Sequence, residues 1–147
     1  MDNAPQKFGV RLFLTNPAAK PLAELIPVFH GWIQRKALAG HQLIDVHDYS
    51  HVAGGPGILL VAHEANLNLD AIGLVYTRKQ PAALPAIVAA ARQAARLLGL
   101  PFAEKPFEIF VNDRLATVTA AQIAAATGGT VVAKAGDPRE RPTFVVT

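Results

Sequence analysis

Between Leu43 and Asp70 the chain gathers three histidines (His47, His51, His63), four acids (Asp45, Asp48, Glu64, Asp70), Tyr49 and a Gly54-Gly55-Pro56-Gly57 run. Imidazoles and carboxylates move protons near neutral pH and are common ligands for divalent metals. Three kinds of chemistry follow from their spacing. His47 and Asp45, two apart on a strand, form a candidate general base with an orienting acid, and Tyr49 on the same face adds a proton donor. Strand neighbours two apart stand roughly 6–7 Å from each other, so such a pair must bend inward to bond. His47, His51 and His63, converging from a strand, a loop and a neighbouring strand, form a candidate metal set for zinc or iron with one position open. His51, Gly54, Gly55, Gly57 and His63 form a candidate lining for a small ligand, because glycine N–H groups can face an anion beside polar imidazoles.

Several familiar sites are excluded. The glycine run lacks the Lys-Ser/Thr of a phosphate-binding P-loop and precedes strand-like sequence rather than a helix. His47-Asp48 resembles the dipeptide of metal-dependent phosphohydrolases of the HD class. That class is helical and draws further ligands from separate helices, whereas here the pair lies in a strand-like run with Ile44, Val46 and Tyr49. With no cysteine in the chain, thiolate metal sites, cysteine nucleophiles and disulfides are excluded.

The elements that must position these residues are legible from periodicity. Lys7 to Thr15 alternates as a strand with Phe8, Val10, Leu12 and Leu14 on one face, ended by Asn16-Pro17. Leu22, Leu25, Ile26, Phe29, Ile33 and Ala37 recur at helical spacing. Pro27 kinks that helix or marks its start, and Gly40 is expected to cap it. Leu43 to Tyr49 reads as a strand with Leu43, Asp45, His47 and Tyr49 on one face. Ile58 to Ala62 reads as a central strand, paired in a hairpin with Ile72 to Thr77. A second helix opens at Pro85, turns Ile87, Val88, Ala91, Ala95 and Leu98 inward, and stops at Gly99. Phe107 to Asn112 is a further strand. Thr119 and Gln122 have capping-box spacing for a short helix to about Ala126. Thr130 to Ala135 and Thr143 to Val146 are the last strands, joined by the loop from Gly136 to Pro142.

This order predicts a single α+β domain over 1–147: a mainly antiparallel sheet packed with two principal helices, a two-layer sandwich of which the ferredoxin-like fold is one form. Strand, helix and three strands also resemble the module of the vicinal oxygen chelate superfamily. Its enzymes take metal ligands from inward strand positions, and Phe8, Val10, Leu12 and Leu14 offer none.

Composition bounds the function class. At 147 residues, 51% hydrophobic and 17% charged, the chain can bury a core without staples. Its net charge of +3 comes from scattered lysines and arginines, which argues against a nucleic-acid partner. The first ten residues lack a signal-peptide pattern, and the longest nearly apolar run, Ala82 to Ala91, is too short for a bilayer. A soluble, cytoplasmic protein with no membrane partner is expected. The cofactor is unknown. The leading functional expectation is a small ligand-binding or accessory module that self-associates, with Phe144-Val145-Val146 as an exposed strand edge inviting a second copy. The alternative is an enzyme with a His/Asp site, metal-dependent or not, in the 45–63 segment.

Overall fold

Alternation in Phe8–Leu14 places Val10 and Leu12 wholly inside, and a sheet assembles on both sides of that strand. The computed structural model describes residues 7–15, 22–52, 57–70, 72–111, 118–134 and 143–147. The elements are β1 (Phe8–Leu14), α1 (Ile26–Arg35, entered through a 3-10 turn Leu22–Leu25), β2 (Leu43–Tyr49), β3 (Gly57–Ala62), β4 (Ala65–Leu69) and β5 (Gly73–Arg78). Then come α2 (Leu84–Leu98), β6 (Phe102–Val111), α3 (Ala120–Thr127), β7 (Val131–Ala133) and β8 (Thr143–Val146). The eight strands form one antiparallel sheet in the order β2-β3-β4-β5-β1-β6-β8-β7. The turn at Asn16-Pro17, residues 53–56 and the loop 136–142 lie outside the described residues.

Local chemistry explains the helices. Pro27 occupies the first turn of α1, where its missing N–H breaks no intrahelical bond. That helix stops before the expected Gly40. Lys36 takes the left-handed conformation (φ 52°), the Ala37 N–H bonds the Trp32 carbonyl at 3.0 Å, and Leu38 drops into the core just beyond. Gly99 caps α2 as expected, although Leu98 is only half-buried. Both arms of the Thr119/Gln122 capping box form: Gln122 N–H donates to Thr119 Oγ1 (3.2 Å), and Thr119 N–H to Gln122 Oε1 (2.7 Å).

Phe29 and Trp32 of α1, edge-to-face at 5.0 Å, join Ile87 and Ala91 of α2 and Ile123 of α3 in one core. Its sheet side is Val10, Leu60, Leu67, Leu74, Ile109 and Phe144. Burying such inward side chains contributes about 1.5–3 kcal/mol each.

The structure corrects four expectations. Ile58–Ala62 does not pair with Ile72–Thr77: His63 and Glu64 turn the chain sharply, and β4 inserts between β3 and β5 with Leu67 and Leu69 inward. Leu43 does not share a face with Asp45. A register shift between them, with Ile44 as the extra residue, turns Leu43 toward the core beside Val46 and leaves Asp45, His47 and Tyr49 on the other face. Phe144–Val146 is no edge, because β8 lies between β6 and β7, and the edges are β2 and β7. The two principal helices and the short one after Thr119 stand on a sheet of eight strands, twice the four of a ferredoxin-like unit.

Two substitutions test this packing. A Cβ at Gly73 would collide with the Leu12 carbonyl oxygen, so Gly73→Ala is expected to lower the urea-unfolding free energy by about 1–3 kcal/mol. Phe144→Ala should cost about 3–5 kcal/mol, and a loss below about 1 kcal/mol would show that β8 is not an interior strand.

Candidate functional site

The bulge at Ile44 decides what β2 presents. His47 Nε2 stands 3.6 Å from Asp45 Oδ2, with the two side chains 47% and 57% exposed. That distance is too long for a hydrogen bond, and water screens the pair, so it holds the imidazole only weakly. His47 also stacks on Tyr49, ring centroids 6.3 Å apart. Asp45 has a closer partner in the backbone, for its Oδ1 accepts the Val46 N–H at 2.8 Å and so satisfies a donor on an edge strand. Asp48 accepts the Ser50 N–H (2.8 Å) and hydroxyl (2.5 Å), and these bonds, with the charge of His51, hold its carboxyl below the ordinary range.

The three histidines are spread along the hairpin. The His63 N–H bonds the Gln42 carbonyl at 2.8 Å, which sets His63 at the start of β2, while His51 lies past its end. At about 3.3 Å per residue, His47 is roughly 16 Å along the strand from His63, while His51 sits in the turn after β2, where the Val52 N–H bonds the Tyr49 carbonyl at 3.0 Å. Among the described residues no group of three or more His, Asp or Glu side chains is placed to hold a metal ion. Gly57 opens β3 opposite Tyr49, with φ +73° and no room for a Cβ against the Leu69 carbonyl; Gly54 and Gly55 lie outside the described residues.

A polar network absent from the sequence-based expectations does converge. His41 Nδ1 lies 2.8 Å from the Ala39 carbonyl, which can only accept, so Nδ1 carries a proton and in the neutral ring Nε2 is the acceptor. Nε2 is 2.5 Å from the Tyr76 oxygen, which therefore donates, while Arg78 Nη1 donates to that oxygen at 3.2 Å. With His41 neutral, the donors therefore run from Arg78 through Tyr76 and His41 to Ala39. Burial pushes the Tyr76 phenol above its ordinary pKa, against the bond and charge of Arg78, and the Glu64 carboxylate adds to the rise. Glu64 sits beside them. Burial raises its pKa, but the Gln42 N–H (2.8 Å), its own N–H and the charges of His41 and His63 bring it below the ordinary value. The available signal was Tyr76 at an inward strand position, since a buried phenol needs a partner; nothing in the sequence marked His41.

The face of the sheet away from the helices is the largest organised surface. One cross-strand row runs from His47 through Leu59, Asn68 and Val75 to Arg11, and on through Glu108 and Val145 to Val132. The next row begins at Asp45, passes Val61, Asn66 and Thr77, then Gly9 under the ring of Phe110, and reaches Thr143 and Lys134. Among the described residues no helix packs on these rows. Leu59, Val61 and Val145 are half-buried and Val132 is 62% exposed, while Val75 and Phe110 of the same rows are buried. Lys134 pairs with Glu108 at 3.1 Å, and Arg11 approaches Asp70 at 3.8 Å. Asn66 Oδ1 is enclosed on this face without a hydrogen-bond partner among the described residues. No protein-family profile matches the chain, and no curated protein matches its sequence.

The Tyr76 network gives a pH dependence of defined sign. With the folded pKa above the unfolded value of about 10, the stability tied to this proton is whole below pH 10 and lost as pH rises through the folded pKa. The chain has two tyrosines, so in a Tyr49→Phe background the ultraviolet phenolate signal reports Tyr76 alone. Ionisation should begin above pH 10 and coincide with loss of tertiary circular dichroism. Ionisation below pH 10 with the fold retained would contradict the network.

Proposed function

We propose that the protein is a small ligand-binding or accessory module that self-associates, two copies meeting through the uncovered sheet face. The observation that carries this reading is an eight-stranded sheet whose helices, among the described residues, lie on one side only, and whose other side carries half-buried Leu59, Val61 and Val145 and exposed Val132. Apolar surface of that extent favours a partner. Seven strand spacings of about 4.8 Å by about five residues give a footprint on the order of 600 Å², near the ~800 Å² per partner of a standard interface.

A face supports association better than either edge does. β7 has only three residues, and β2 is bulged, carries Asp45 and His47, and has its Val46 N–H occupied. Charge favours one symmetry. Asp45 and Lys134 end the same row at opposite sides of the sheet, so a two-fold axis along the strands sets each Asp45 over the Lys134 of the second copy. Natural sheet twist makes the two sheets cross at an angle of about 30°. His47 and Asp45, open to water, support binding over a His/Asp enzyme. The absence of cysteine suits a reducing, cytoplasmic compartment, and no helix of the described residues is long and apolar enough to cross a membrane.

Sedimentation equilibrium tests the proposal. The expected result is a dimer of twice 15.6 kDa at micromolar concentration, with Leu59→Lys giving a folded monomer. Asp45→Lys should weaken the dimer, and adding Lys134→Asp should restore it. A wild-type monomer at every concentration, or a dimer indifferent to Leu59→Lys, would overturn this assignment.

A further inference from the structure

On the helix side of the sheet, α2 and the first residues of β6 part to leave an open cleft of about 310 Å³. Its origin lies in β6. Between the pairs Leu12–Phe107 and Leu14–Phe102, one residue of β1 faces four of β6, and Pro106 within that excess has no N–H to give the ladder. The start of β6 therefore bows away from β1. Leu12, Ala95, Leu100 and Phe102 give the cleft an apolar lining, and Arg92, Arg96 and Glu104 complete it.

The two guanidiniums stand one helical turn apart and differ in their contacts. Arg92 is held: it lies 4.9 Å over the Phe107 ring and donates to the Glu104 carbonyl at 3.0 Å. Arg96 makes no hydrogen bond or ion pair with any described residue. The exposed Glu104 carboxylate pairs with neither guanidinium, so the cleft sets two cations against one carboxylate. A free guanidinium offers parallel N–H donors that match a carboxylate or phosphate.

We propose that this cleft binds a small molecule with one anionic head, carboxylate or phosphate monoester, on a short apolar or aromatic body. The head meets Arg96 with Arg92 behind it, and the body covers Ala95, Leu100 and Phe102. A volume near the lower end of ligand pockets, about 300–1,000 Å³, suits a single ring or short chain better than a dinucleotide. The proposal rests on reading the chain as a ligand-binding module and is independent of self-association, because the cleft lies on the opposite side of the sheet from the uncovered face.

The test titrates the full chain with phenylbutyrate, phenyl phosphate and neutral phenylbutanol, followed by calorimetry and backbone amide shifts. At least one anion should bind at one-to-one stoichiometry, with the alcohol about tenfold weaker. Which anion binds better distinguishes carboxylate from phosphate recognition. Arg96→Gln should weaken the anion about tenfold and leave the alcohol unchanged, Arg35→Gln on α1 should change neither, and Ala95→Leu should weaken all three probes by filling the cleft. Arg92 is left intact because it supports Phe107, and circular dichroism checks each variant's fold. Binding indifferent to Arg96 and Ala95 overturns the cleft while leaving a ligand-binding module. Absence of saturation by both anions also overturns it, and the broader reading falls separately if neutral and cationic fragments move no amide shift.

Discussion

Apolar burial on one face of a wide antiparallel sheet is the constraint on which the molecule depends. β1 sits inside that sheet, with Val10 and Leu12 fully enclosed and β5 and β6 bonded to either edge. Every helix finds its place by covering inward side chains: Phe29 and Trp32 from α1, Ile87 and Ala91 from α2, Ile123 from α3. Antiparallel strands tolerate a second face turned to water, and among the described residues no second layer of helices covers it. What that second face carries then becomes a matter of function rather than of folding. The glycines mark where strands come too close for side chains, at Gly73 against Leu12 and at Gly9 beneath Phe110.

Much of this was legible in the sequence because local chemistry and global packing agree. Pro27 starts α1, Gly99 ends α2, Thr119 and Gln122 cap α3, and Thr143–Val146 is a strand. What escaped depends on contacts between distant residues. The bulge at Ile44 moves Leu43 to the core and is set by pairing with β3, which no local period reveals. The turn at His63 and Glu64 lacks the glycine or asparagine that usually announces a hairpin. β6 begins at Phe102, five residues before the expected Phe107, because the strand carries Pro106 in an excursion that breaks its alternation.

The candidate site was legible only as a set of side chains. Histidines at 47, 51 and 63 look clustered along the chain, yet strand geometry stretches them over the length of a hairpin. The residues that meet instead, His41, Tyr76 and Arg78, come from the loop before β2 and the end of β5, separated by 35 positions between His41 and Tyr76. Their bonds satisfy one another, which ties the loop before β2 to the end of β5. The same distinction separates Arg92, tied to Phe107 and Glu104, from Arg96, which has no partner among the described residues.

The central claim is that the part of the non-helical face carrying Leu59, Val61, Val145 and Val132 is open to solvent in one copy of the chain and covered by a second. Methyl-resolved NMR with a soluble paramagnetic probe measures this directly. In dilute solution Leu59, Val61 and Val145 methyls should relax strongly while those of Val10, Leu60 and Val146 remain shielded. On concentration the first set should become shielded as well. Shielding of Leu59, Val61 and Val145 at every dilution would mean that the chain covers its own face, and exposure at the highest concentration would mean that no second copy does; either result would contradict the claim.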